Sequence, residues 1–125
     1  MKKIIKTTNA PKAVGPYSQA VEANGALYIS GQLPINPATG KFADGGVAEQ
    51  TAQCLANIGA ILAEAGYDYS HVVKSTVLLA DMNGFAAMNE VYARFYAEPY
   101  PARVAYQVAQ LPMGAQVEIE TIAAK

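Results

Sequence analysis

The sequence predicts an α+β fold in which a single sheet carries two helices on one face, in the order β-β-β-α-β-α-β-β. Three observations support this. Asn24-Gly25 separates two apolar runs, the strongest short hairpin signal, because both residues tolerate positive φ. Two segments, 47–65 and 84–96, repeat apolar residues at helical spacing. The runs before, between and after them are rich in Val, Ile and Thr and short enough for strands.

Residues 2–7 (KKIIKT) read as a short edge strand. Gly15-Pro16 marks a turn, after which 18–23 and 26–30 form the two arms of the hairpin. From Gly31 to Gly46 the chain reads as one long loop, with turn signals at Leu33-Pro34, Asn36-Pro37 and Thr39-Gly40. Residues 47–65 are the clearest helix. Val47, Thr51, Cys54, Leu55, Ile58, Ile61, Leu62 and Ala65 make one stripe, and Gly66 suits the position just past its end. Residues 71–80 (HVVKSTVLLA) read as a buried strand. Asp81 or Asn83 caps a second helix, 84–96, with Phe85, Met88, Tyr92 and Phe95 inward; Pro99 and Pro101 stop it. Residues 103–109 and 116–123 are the last two strands, joined through Leu111-Pro112-Met113-Gly114. The 125 residues fit one domain, 1–125, with no repeat and no low-complexity linker. Two helices cover only one sheet face, so the other face is expected to meet another subunit.

Composition excludes several classes. Net charge is −1, the only arginines are Arg94 and Arg103, and no basic stripe follows a helix, so nucleic acid is not the expected partner. The lysine-rich start, Lys2 to Lys12, reads as a solvated strand end. One cysteine, Cys54, can form neither an internal disulfide nor a cysteine-based zinc site, and its place on the helical stripe makes it a small core residue. One histidine, His71, at a strand start, reads as solvated or capping. No metal site, no glycine-rich phosphate loop and no nucleophile elbow is present, so no cofactor is expected. No apolar run follows the first lysines and none approaches a membrane span, so neither a signal peptide nor a membrane segment is expected, and a cytoplasmic or other reducing compartment follows.

Five positions and their neighbours could carry chemistry. Strand alternation puts Arg103, Ala105 and Gln107 on one side of their strand and Val104, Tyr106 and Val108 on the other. A guanidinium beside a small alanine has space in front of it, and its fork matches a carboxylate; the other reading is a surface salt bridge. Glu118 and Glu120 share one side of the last strand, opposite Val117, Ile119 and Thr121. If half-buried, one of them has a raised pKa and can exchange protons near neutrality; otherwise they form a solvated face paired to lysines. Asn89, four residues after Phe85 and three before Tyr92, is either a satisfied core asparagine or a site residue. Tyr17 offers a wall and a hydroxyl from a loop. Ser30-Gly31-Gln32 ends a strand where a glycine lets a ligand approach the backbone.

Taken together, these phrases resemble the Rid family of reactive intermediate deaminases. The residues concerned are Gly-Pro-Tyr-Ser-Gln at 15–19, Ser-Gly-Gln-Leu-Pro-Ile-Asn-Pro at 30–37, the helix of Asn89, Pro-Ala-Arg at 101–103, Leu111-Pro112 and Val-Glu-Ile-Glu at 117–120. They run in order over nearly the whole chain. The resemblance implies a chorismate-mutase-like fold and a homotrimer with active sites in the clefts between subunits. It also implies hydrolysis of 2-iminobutanoate and 2-iminopropanoate to 2-keto acids. Arg103 would then clamp the substrate carboxylate and Glu118 would position the attacking water. Tyr17, Ser30, Gly31 and Asn89 match other pocket positions, and Gln107 and Glu120 are open. Many members carry Ser-Cys after the arginine; here Val104-Ala105 excludes a thiol at that place. Two alternatives remain: a protein that binds a small carboxylate without turnover, and an endoribonuclease or translation inhibitor, which the charge balance disfavours.

Overall fold

The computed structural model describes all residues, Met1–Lys125. Its main sheet has six strands: β1 (Lys3–Ile5), β2 (Ala20–Ala23), β3 (Ala26–Gln32), β6 (Val72–Leu79), β7 (Ala102–Gln107) and β8 (Val117–Ala124). They lie in the order β1-β2-β3-β8-β6-β7. All neighbours are antiparallel except β6 and β7, which the crossover through the second helix makes parallel. The β2–β3 hairpin turns through Asn24 (φ 52) and Gly25 (φ 80), as the Asn-Gly pair predicts.

The predicted loop 31–46 is not structureless. Ile35–Asn36 (β4) and Lys41–Phe42 (β5) pair as a small separate hairpin. Two-residue strands are too short to show alternation, so the turn signals masked them. The buried Asn57 holds this hairpin to the first helix, its Nδ2 donating to the carbonyls of Leu33 (3.1 Å) and Ile35 (3.0 Å).

Helix α1 (Val47–Glu64) follows its stripe: Thr51, Cys54, Leu55, Ile58, Ile61 and Leu62 are buried. Gly66 (φ +81) ends it, with Tyr67 N–H donating to the Leu62 carbonyl and Gly66 N–H to that of Ala63. Helix α2 (Phe85–Phe95) starts differently from expectation. Asp81 caps a single 3-10 turn, Met82–Gly84, by accepting from Asn83 N–H, and that turn feeds the helix. His71 lies in a 3-10 turn before β6, where its Nδ1 accepts from Asp68 N–H (3.0 Å), so it caps.

Both helices lie on the same face of the sheet. There Leu27, Ile29, Val77, Leu79, Val117 and Ile119 meet α1, with Met88 and Tyr92 from α2. The opposite face carries no element of this chain. It leaves Ile4, Tyr28, Val104 and Tyr106 between 41 and 51 % exposed.

Candidate active site

Strand register decides which site residues can meet. Ser75 on β6 pairs with both Arg103 on β7 and Thr121 on β8. Arg103 is therefore in phase with Thr121, on the helix side of the sheet. Leu78 pairs with Tyr106 and with Glu118, which puts Glu118 and Glu120 on the open side. The two residues expected to work together thus point to opposite faces within one chain. The rung of Glu118 also crosses β7 at Tyr106, three residues or about 10 Å beyond Arg103.

On the helix side, Arg103 sits at the sheet's β7 edge against α2. Its Nη1 donates to Asn89 Oδ1 at 2.7 Å. Its guanidinium lies over the rings of Tyr92 (4.8 Å to the centroid) and Phe85 (5.6 Å). No carboxylate pairs with it; the chain's arginine–carboxylate pair is Arg94–Glu90. The salt-bridge reading of Arg103 is thereby removed, and the fork retains donors for a ligand. Asn89 is exposed, so it is not a core asparagine. Gln107, on the same side of β7, is committed elsewhere: its Oε1 accepts from Met82 N–H (2.9 Å) and ties the turn that starts α2.

On the open side, the remaining candidates gather. Tyr17, Ser18, Tyr28, Ser30, Glu120 and Lys2 line a shallow groove of about 520 Å³. Ser30 Oγ donates to the Ser18 carbonyl (2.6 Å), which fixes the loop that carries Tyr17. Gly31 stands at a register shift between β3 and β8, and the Glu118 carboxylate occupies the space a side chain would need. A Cβ on Gly31 would lie 2.5 Å from Glu118 Oε2. A side chain at Gly31 would have to displace the chain's own glutamate. Burial, and then the like charge of Glu120, hold the Glu118 carboxyl above its ordinary value. A half-buried carboxylate with raised basicity suits proton exchange with a bound water.

Sequence reasoning placed Phe85 and Tyr92 in the core and missed that they carry Arg103. The signal was present in their spacing: Phe85, Asn89 and Tyr92 stand at i, i+4 and i+7 on one helix face. Cys54 is buried, and burial pushes its thiol up, in keeping with a packing role.

The chain as a whole matches a known group of proteins. Residues 7–125 fit the family model described as Endoribonuclease L-PSP, the YjgF or Rid family. The chain belongs to this family. Over 123 residues it is 56 % identical to the 2-iminobutanoate/2-iminopropanoate deaminase of Bos taurus, covering 98 % of this chain and 90 % of that one. A solved Rid family protein of Yersinia pestis, YyfA, superposes with a TM-score of 0.97 at 45 % identity, covering 100 % of both chains. TdcF of E. coli, solved with bound serine, superposes at 0.93 with 42 % identity, covering 98 % of each chain. The Rid-type fold expected from the motifs is the fold observed.

Proposed function

We propose that this protein is a 2-imino acid deaminase that hydrolyses 2-iminobutanoate and 2-iminopropanoate to 2-keto acids and ammonia. The observation that carries the reading is Arg103: a guanidinium held by Asn89 and two rings, with no carboxylate of its own, at an open sheet edge. The deaminases of Bos taurus and Homo sapiens, 56 % and 50 % identical, support the activity. The serine bound to TdcF supports a small carboxylate as the ligand class.

The active unit is a homotrimer, and the site is assembled between copies. Arg103 and Asn89 come from one subunit; Tyr17, Ser30, Gly31 and Glu118 come from the next. Two facts support this division: the half-sites face opposite sides of one sheet, and the open side exposes apolar residues that need cover. We read 1–125 as one domain, since strands from both ends of the chain share one sheet. No helix is long and apolar enough to cross a membrane, and a cytoplasmic location suits the single buried free cysteine.

The chemistry follows from these roles. Arg103 takes the substrate carboxylate in two parallel hydrogen bonds and so places the imine carbon. Glu118 accepts a proton from water as the water adds to that carbon of the protonated imine. The tetrahedral adduct carries a hydroxyl and an amine. Glu118 returns the proton to the amine, the C–N bond breaks as the carbonyl forms and the hydroxyl proton passes back to Glu118, ammonia leaves and the 2-keto acid remains. Glu120 keeps Glu118 basic.

Arg103→Ala should abolish keto-acid release above background, with fold and oligomer intact. Arg103→Lys should retain no more than about a tenth of kcat/KM, because a point charge lacks the fork. Full activity in Arg103→Ala rejects the reading. Tight binding of 2-oxobutanoate with no acceleration of imine hydrolysis would assign the same site to a binding protein.

A further inference from the structure

A clamp works only if its fork points at the ligand. Arginine has several rotatable bonds, and here no negative charge restrains it. Of the three α2 groups around the guanidinium, Asn89 is exposed and Phe85 is half-buried. Tyr92 is buried, at 5 % exposure, and its ring is the nearer of the two, at 4.8 Å. Its ring is itself braced. It leans on Tyr96 with centroids 4.7 Å apart and a tilt of 37°. Tyr96 meets Tyr69 edge-on at 5.6 Å, and the Tyr69 hydroxyl donates to the Leu55 carbonyl on α1 at 2.7 Å. A continuous stack thus runs from the middle of α1 through three tyrosines to Arg103.

The stack also touches β6, the strand that pairs with the one carrying Arg103. The Tyr92 and Tyr96 hydroxyls are buried and make no hydrogen bond of ordinary geometry. The Ser75 hydroxyl lies beside both, on the rung that pairs with Arg103. Burial holds both phenols above their ordinary value, so they stay neutral. A neutral ring attracts a guanidinium through its face and leaves the N–H donors free, whereas a carboxylate in its place would consume them.

We propose that Tyr92 is a positioning residue for the reaction: its braced ring aims the Arg103 fork at the substrate carboxylate. The proposal rests on the reading of Arg103 as the clamp, and one part of its test does not depend on that reading. The protein is labelled with 15N,13C-arginine. Only two arginines contribute signals, and Arg94→Lys leaves those of Arg103. In the wild type and in Tyr92→Phe, the Arg103 Hδ and Hε resonances should be displaced upfield by the ring beneath them. In Tyr92→Leu they should lose the larger part of that displacement and keep only the part due to Phe85. With 2-iminobutanoate as substrate, Tyr92→Leu should raise KM about tenfold, the size of a partly desolvated cation–π contact. Its kcat should change by less than about twofold, because a misaimed clamp weakens ground-state and transition-state binding alike. Tyr92→Phe should keep the wild-type KM. A merely structural role would instead lower kcat through loss of active protein and leave KM unchanged. Unshifted Arg103 signals in the wild type overturn the proposal, and so does a wild-type KM in Tyr92→Leu. Should Tyr92→Leu fail to fold, the wild-type shift decides alone. If the wild type hydrolyses no 2-imino acid, the deaminase reading falls while the resonance arm still tests the aim of Arg103.

Discussion

Gly31→Ala tests the coupling between β3 and Glu118 at the scale of one methyl group. The new Cβ would stand 2.5 Å from Glu118 Oε2 and 3.1 Å from its Cδ. Ordinary contact begins near 3.5 Å, so the carboxylate must move by about 1 Å. The atoms met are the far end of a flexible side chain, and Gly31 is not in the left-handed region, so the backbone has no reason to break. Alanine also restricts the unfolded chain, which makes stability equal or better by up to about 1 kcal/mol. Catalysis should respond differently. A displacement of that size at a reacting group costs about 100-fold in kcat, equivalent to about 2.7 kcal/mol. The assay couples an amino-acid oxidase, as the source of imine, to detection of the released keto acid, with thermal melting alongside. If the loss acts through Glu118, then Gly31→Ala should add almost nothing in a Glu118→Gln background, whereas independent effects would multiply. Full activity in Gly31→Ala, or multiplied losses in the double variant, would refute the reasoning.

Three further outcomes follow from the same geometry. Glu120→Gln removes the like charge that helps hold the Glu118 carboxyl high, so the acid limb of the kcat profile should move to lower pH; an unmoved limb would mean that another group titrates. For stability the sign is opposite to that of a paired carboxylate. The folded state binds the Glu118 proton more tightly than the unfolded chain, so this contribution is present below the unfolded value and is lost as pH rises through the raised folded value. Glu118→Gln should therefore melt no lower than the wild type at pH 7 to 8 while losing activity; a lower melting temperature there contradicts the assignment. Asn57→Ala leaves the Leu33 and Ile35 carbonyls without their donor and should cost about 2 kcal/mol in denaturant unfolding. Amide exchange across β4 and β5 should quicken, and unchanged exchange would show that the hairpin is held by something else.

Much of this was legible in the sequence because it is local. Alternation grouped Arg103 with Ala105 and Gln107, and Glu118 with Glu120, and the strands keep those groupings. Helical spacing found α1 within a residue of its ends, and Asn24-Gly25 found the hairpin turn. What alternation cannot supply is the phase between strands. A shift of one residue on β8 would turn Glu118 to the side of Arg103, and nothing within either strand reports that shift. It is set by the pairing of Ser75 with both Arg103 and Thr121, a contact among three distant segments. The same register divides the candidate site. On the roles proposed for Arg103 and Glu118, which point to opposite faces of one sheet, the two meet one substrate only where the face of one copy is presented to the edge of another. That step needs no extra residue in the sequence, which is why the sequence carries no separate mark of it: the apolar residues of the open face, Tyr28, Val104 and Tyr106, read as ordinary strand positions until the sheet shows that nothing in the chain covers them.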